Sequence, residues 1–100
     1  MRLTETQLET IKSTITEVFG ENTSVYLFGS RTDDNARGGD IDLLVESPLD
    51  AAQALEKKLK TQARLCIRLG DQKIDLITTS SHFNDSRPVV RKAVSKGVKL

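Results

Sequence analysis

A single cysteine, Cys66, means that no disulfide framework braces this chain, and a reducing cytoplasm is the expected setting. Net charge is almost absent, at +1 near neutral pH, which argues against a dedicated nucleic-acid binder. No apolar run approaches the ~20 residues of a membrane span. The opening MRLTETQLET lacks the apolar core of a signal peptide, so no membrane association is expected. Repeats, low-complexity tracts and linkers are missing too. What is left is ordinary globular composition over 100 residues, enough for one domain with one modest core.

The charge is unevenly spread. Residues 1–85 hold ten basic and fourteen acidic groups, a balance of −4, while Arg87, Arg91, Lys92, Lys96 and Lys99 give the tail +5. Such a tail reads either as a solvated helix face or as a surface for an acidic partner or a triphosphate.

Leu8, Ile11, Ile15, Val18 and Phe19 recur at helical spacing and predict a helix from about Glu5 to Phe19, with Thr6 and Glu9 as its capping box. Val25–Phe28 and Ile41–Val45 are short, dense apolar runs, expected as strands buried on both faces. Between them Gly29–Gly39 is polar, hence a loop. Pro48 to about Gln62 predicts a second helix with Leu49, Ala52, Leu55 and Leu59 on its inner face. Leu65, Ile67 and Leu69 alternate with polar residues, Gly70-Asp71-Gln72 follows, and Ile74 and Leu76 alternate again; this favours a hairpin over an extended second helix. Ser86-Arg87-Pro88 suits the start of a third helix that ends at Gly97. Together these elements predict an α/β (α+β) fold, helices packed on a small mixed sheet.

The chemistry concentrates in LFGSRTDDNARGGDIDLLV, residues 27–45. Asp is a poor strand residue, and a buried lone carboxylate is costly. Yet Asp40 and Asp42 enter an apolar strand, two apart and so on the same side. Asp75, between Ile74 and Leu76, repeats the pattern. Three carboxylates of this kind can hold a pair of hard divalent cations and clamp a phosphoryl displacement. Gly29 at a strand end lets the backbone approach a phosphate, and Ser30 offers a hydroxyl. Arg31 reads equally as a contact to phosphate or acceptor and as a plain surface charge. His82 beside Ser81 has no third partner and is set aside as a nucleophile.

Gly29-Ser30, nine residues, then Asp40-Ile41-Asp42, and later Ile74-Asp75-Leu76 resembles the minimal nucleotidyltransferase family of the DNA polymerase beta superfamily. The resemblance spans most of the chain, down to RKAVSKGVKL, which is similar to the family's last helix and strand. It implies a nucleotidyltransferase fold with residues 1–100 as a single domain. It also implies transfer of AMP from ATP to a hydroxyl with two Mg2+ ions. Gly29 and Ser30 would hold the β- and γ-phosphates, Asp40 and Asp42 both metals, and Asp75 the metal that activates the acceptor.

Larger relatives add a helical acceptor-binding domain, which this sequence is not expected to carry. The resemblance therefore implies a partner, a small all-helical HEPN toxin that is silenced when AMP is placed on a tyrosine, with this chain as antitoxin. Assembly into a homo- or hetero-oligomer is compatible with it. Two other readings stay open: a small-molecule acceptor used with a partner subunit, and a non-catalytic nucleotide-binding or antitoxin module.

Overall fold

The computed structural model describes residues 3–29, 40–70 and 73–100. Helix α1 (Glu5–Phe19) forms where its apolar stripe predicts, with Ile11, Ile15 and Val18 buried. Its cap lies two residues before the expected one. Thr4 Oγ1 accepts from the Gln7 amide at 3.0 Å, and Gln7 Oε1 accepts from the Thr4 amide at 3.0 Å. Gln serves at the third helical position as Glu would, and Thr6 is already inside the first turn.

Strands β1 (Ser24–Phe28), β2 (Ile41–Glu46), β3 (Ile74–Thr79) and β4 (Val98–Lys99) form one sheet in the order β3-β2-β1-β4. The β1–β2 and β1–β4 pairs are antiparallel, and β2–β3 is parallel. A parallel pair needs a crossover, and helix α2 (Ala51–Leu69) supplies it. Helices α1 and α2 cover one sheet face, where Ile11, Ile15 and Leu65 pack on Val25, Leu27, Ile41, Leu43, Val45 and Leu76. Helix α3 (Pro88–Lys96) covers part of the other face through Val90 and Ala93, which meet Tyr26 and Leu44. The expected α+β architecture is the one observed.

The expected hairpin is not. Residues 65–69 continue α2, which ends at Gly70 (φ +79°). Leu65 and Leu69 do face the core, but as positions four apart on a helix, together with Thr61; Ile67 between them is 83% exposed. The predicted inner face of α2 is also reversed, since Leu55 and Leu59 lie outside. Its inner flank is basic instead and clasps α1. Arg64 Nη1 donates to Glu17 Oε2 at 3.0 Å, Arg68 Nη1 to Thr14 Oγ1 at 2.8 Å, and Lys57 Nζ to the Val18 carbonyl at 3.0 Å. Long cationic side chains cover apolar surface with their stems and end on polar atoms.

The free edge of β3 is capped by side chains. Gln62 Nε2 donates to the Ile74 carbonyl at 3.3 Å, and Arg87 Nη2 to the Thr78 carbonyl at 2.7 Å. Arg87 also donates to both oxygens of Asp85, whose carboxylate accepts from Thr79 Oγ1 at 2.8 Å. Hydrogen bonds from the Arg87 side chain, then from Thr79 and the Arg87 amide, hold the Asp85 carboxyl well below the usual carboxylate range. A depressed carboxyl stabilises the fold above its unfolded-state pKa, and that contribution fades as pH falls through the folded value. Arg87→Ala is therefore expected to lower Tm most at neutral pH. Thermal unfolding followed by circular dichroism should show the gap to wild type narrowing as Asp85 protonates in acid.

Candidate active site

The parallel register of β2 and β3 sets Asp42 beside Asp75, Leu44 beside Ile77 and Glu46 beside Thr79. In-register residues of neighbouring strands share a face, so the Asp42 and Asp75 side chains stand together on the side that α3 only partly covers. Asp42 is half-buried and Asp75 exposed. Burial, the negative charges of Asp75 and Asp40, and a hydrogen bond with Asp75 all push the Asp42 carboxyl up, against the opposing charge of Lys73. A hydrogen bond between two carboxyl groups needs one of them to hold a proton.

Asp40 is the third member of the group by charge. Its side chain leans on Lys73, with Nζ 3.6 Å from Oδ2. Lys73 is itself 71% exposed. Among the described residues, no three His, Cys, Asp or Glu side chains stand gathered as a metal-holding set. The donors are nevertheless all carboxylate oxygens, and that chemistry fits a hard divalent cation such as Mg2+.

Gly29 sits against this cluster. It follows Phe28, the partner of Asp42 across β1–β2, and its φ is +78°. A Cβ placed there would overlap Asp42 Oδ2. The strand end thus needs glycine twice, for its backbone angle and for the close approach of the carboxylate. Ser30 and Arg31, the other expected phosphate contacts, lie outside the described residues.

Beside Gly29 opens a cleft of about 390 Å³, lined by Phe28, Gly29, Val89, Lys92 and Lys96. Two lysines one helical turn apart on α3 face the end of β1 that carries the glycine. Both belong to the basic tail of the sequence. The docking of α3 places Lys92 and Lys96, rather than the other cations of the tail, on this cleft.

His82 has a structural task. Its amide donates to Glu46 Oε2 at 2.6 Å, and its ring Nδ1 pairs with the same oxygen. Burial acts to raise the Glu46 carboxyl, but the bonds and charge from His82, with Lys99, outweigh it and hold the group low. The sequence offered no signal for this pair, because 36 residues separate its members.

A family model described as a nucleotidyltransferase domain matches residues 8–100. No curated protein and no solved structure matches the chain.

Proposed function

Because the chain belongs to the nucleotidyltransferase domain family, we propose that it is a magnesium-dependent enzyme that transfers AMP from ATP to a hydroxyl, that of a tyrosine on a small all-helical HEPN toxin. The observation that carries this reading is the register that sets Asp42 beside Asp75, next to the Gly29 bend and the lysine-lined cleft.

Asp40, Asp42 and Asp75 would hold the divalent ions, whose chemistry when bound is to neutralise phosphate charge. Lys92 and Lys96 bind the triphosphate tail and draw it toward Gly29, with Ser30 and Arg31 carried over by resemblance. Asp75, being exposed, is within reach of an acceptor and takes the proton from its hydroxyl. The acceptor oxygen forms a bond to the α-phosphorus while the bond to the bridging oxygen breaks. Pyrophosphate leaves with that electron pair. So small a scaffold works mainly by positioning and charge compensation.

Incubation with ATP, Mg2+ and the HEPN protein, followed by intact mass measurement, should show the acceptor gaining one AMP. An unmodified acceptor with each of the common nucleoside triphosphates would overturn the proposal. Lys92→Ala with Lys96→Ala is expected to raise KM for the triphosphate about tenfold or more with kcat changed less, as loss of charge-assisted hydrogen bonds does. Initial-rate kinetics over a range of ATP concentrations provide the check.

A further inference from the structure

Helix α2 is apolar on two sides. Thr61 and Leu65 are fully buried against α1 and the sheet. The opposite side carries Ala52, Leu55, Leu59, Ala63, Cys66 and Ile67, all exposed. Leu55 is 55%, Leu59 58% and Ile67 83% accessible, a large apolar area to leave in water. At 3.6 residues per turn these six positions fall in one stripe along the helix, about a third of its circumference.

We propose that two copies of this chain associate through this stripe, their α2 helices antiparallel about a two-fold axis at Leu59. The pattern is self-complementary about that residue. Four positions back is Leu55 and four forward is Ala63; seven back is Ala52 and seven forward is Cys66. In an antiparallel pair each Leu55 meets Ala63 of the second copy, each Ala52 meets Cys66, and the two Leu59 side chains meet at the axis. A large residue opposite a small one lets the helices close, and the same patch serves both copies, as a two-fold interface requires.

The charges agree with this arrangement. Lys57, Arg64 and Arg68 are committed to α1. Glu56 falls inside the arc of the stripe, between Ala63 and Ile67, and Lys60 at its border; neither has an ion-pair partner among the described residues. Antiparallel pairing sets Glu56 of each copy near Lys60 of the other, twice by symmetry. A helix of 19 residues is ~28 Å long, so its stripe falls short of the ~800 Å² per partner of a standard interface. The dimer should accordingly be in concentration-dependent equilibrium with monomer. Asp42 and Asp75 face the other side of the sheet, so this contact leaves them open.

Sedimentation velocity from about 1 μM to about 1 mM should show the mean mass climbing from monomer toward dimer. Leu59→Glu should stay monomeric throughout with an unchanged far-ultraviolet circular dichroism spectrum. On a Cys66→Ser background, Leu59→Cys should form a disulfide-linked dimer under mild oxidation, well ahead of Leu55→Cys, whose copies lie apart across the axis. A monomer at every concentration would overturn the proposal and assign the stripe to a different partner. A dimer that survives Leu59→Glu, or cross-linking as fast from position 55 as from 59, would overturn it as well.

Discussion

Asp42→Asn is expected to reduce nucleotidyl transfer by about 10³-fold or more, roughly 4 kcal/mol of transition-state stabilisation, while the fold survives. Asn keeps the shape of the side chain and removes the charge. The same substitution should raise Tm by a few degrees when divalent cations are chelated. Burial and the charges of Asp75 and Asp40 raise the Asp42 carboxyl in the folded chain. A raised carboxyl favours the fold below its unfolded-state pKa and opposes it as pH rises through the folded value. Relief of that opposition should therefore be seen at neutral pH and vanish in acid. Added Mg2+ should stabilise wild type more than the variant, since a ligand that binds only the folded state raises its stability. Calorimetry in chelator and in Mg2+ separates the cases; equal Mg2+ stabilisation of both proteins would remove Asp42 from the proposed metal ligands.

Gly29→Ala is the second variant with a large expected effect. A left-handed backbone angle costs a residue with a Cβ about 1–2 kcal/mol. Here the methyl would also overlap the Asp42 carboxylate, so that group has to move. A shift of about 1 Å at a reacting centre can cost about 10²-fold in rate. We expect a drop of that order in kcat/KM, with a fall in Tm that is smallest in Asp42→Ala, where the overlapped carboxylate is gone. Thermal unfolding of the single and double variants tests the coupling; strict additivity would show that the two residues do not press on each other.

Much of this was legible in the chain. The two runs that became β1 and β2 are dense, apolar and bounded by glycine or polar residues, and strand pairing leaves such segments few alternatives. Asp42 and Asp75 stood out because each interrupts an apolar strand, and the register of β2 with β3 brings them side by side. The second half of α2 was misread for a physical reason. With leucine, isoleucine and alanine on its outside, and threonine and basic stems on its inside, its hydropathy does not mark the buried face. Leu65, Ile67 and Leu69 then mimic a strand although only the outer two of the three turn inward. Lys73 and the Glu46–His82 pair were illegible because they depend on contacts between elements far apart in sequence. The place of Lys92 and Lys96 beside Gly29 depended on where α3 docks, which periodicity alone does not fix.

The capped rim of β3 has one more consequence. With a glutamine amide and an arginine fork bonded to its outward carbonyls, that strand offers little template for another backbone to copy, and β4 at the opposite rim is only two residues long. Zipper-like growth from sheet to sheet is discouraged at both ends. A lasting complex, with itself or with an acceptor, is accordingly expected to be gripped by helices and loops rather than by an added strand.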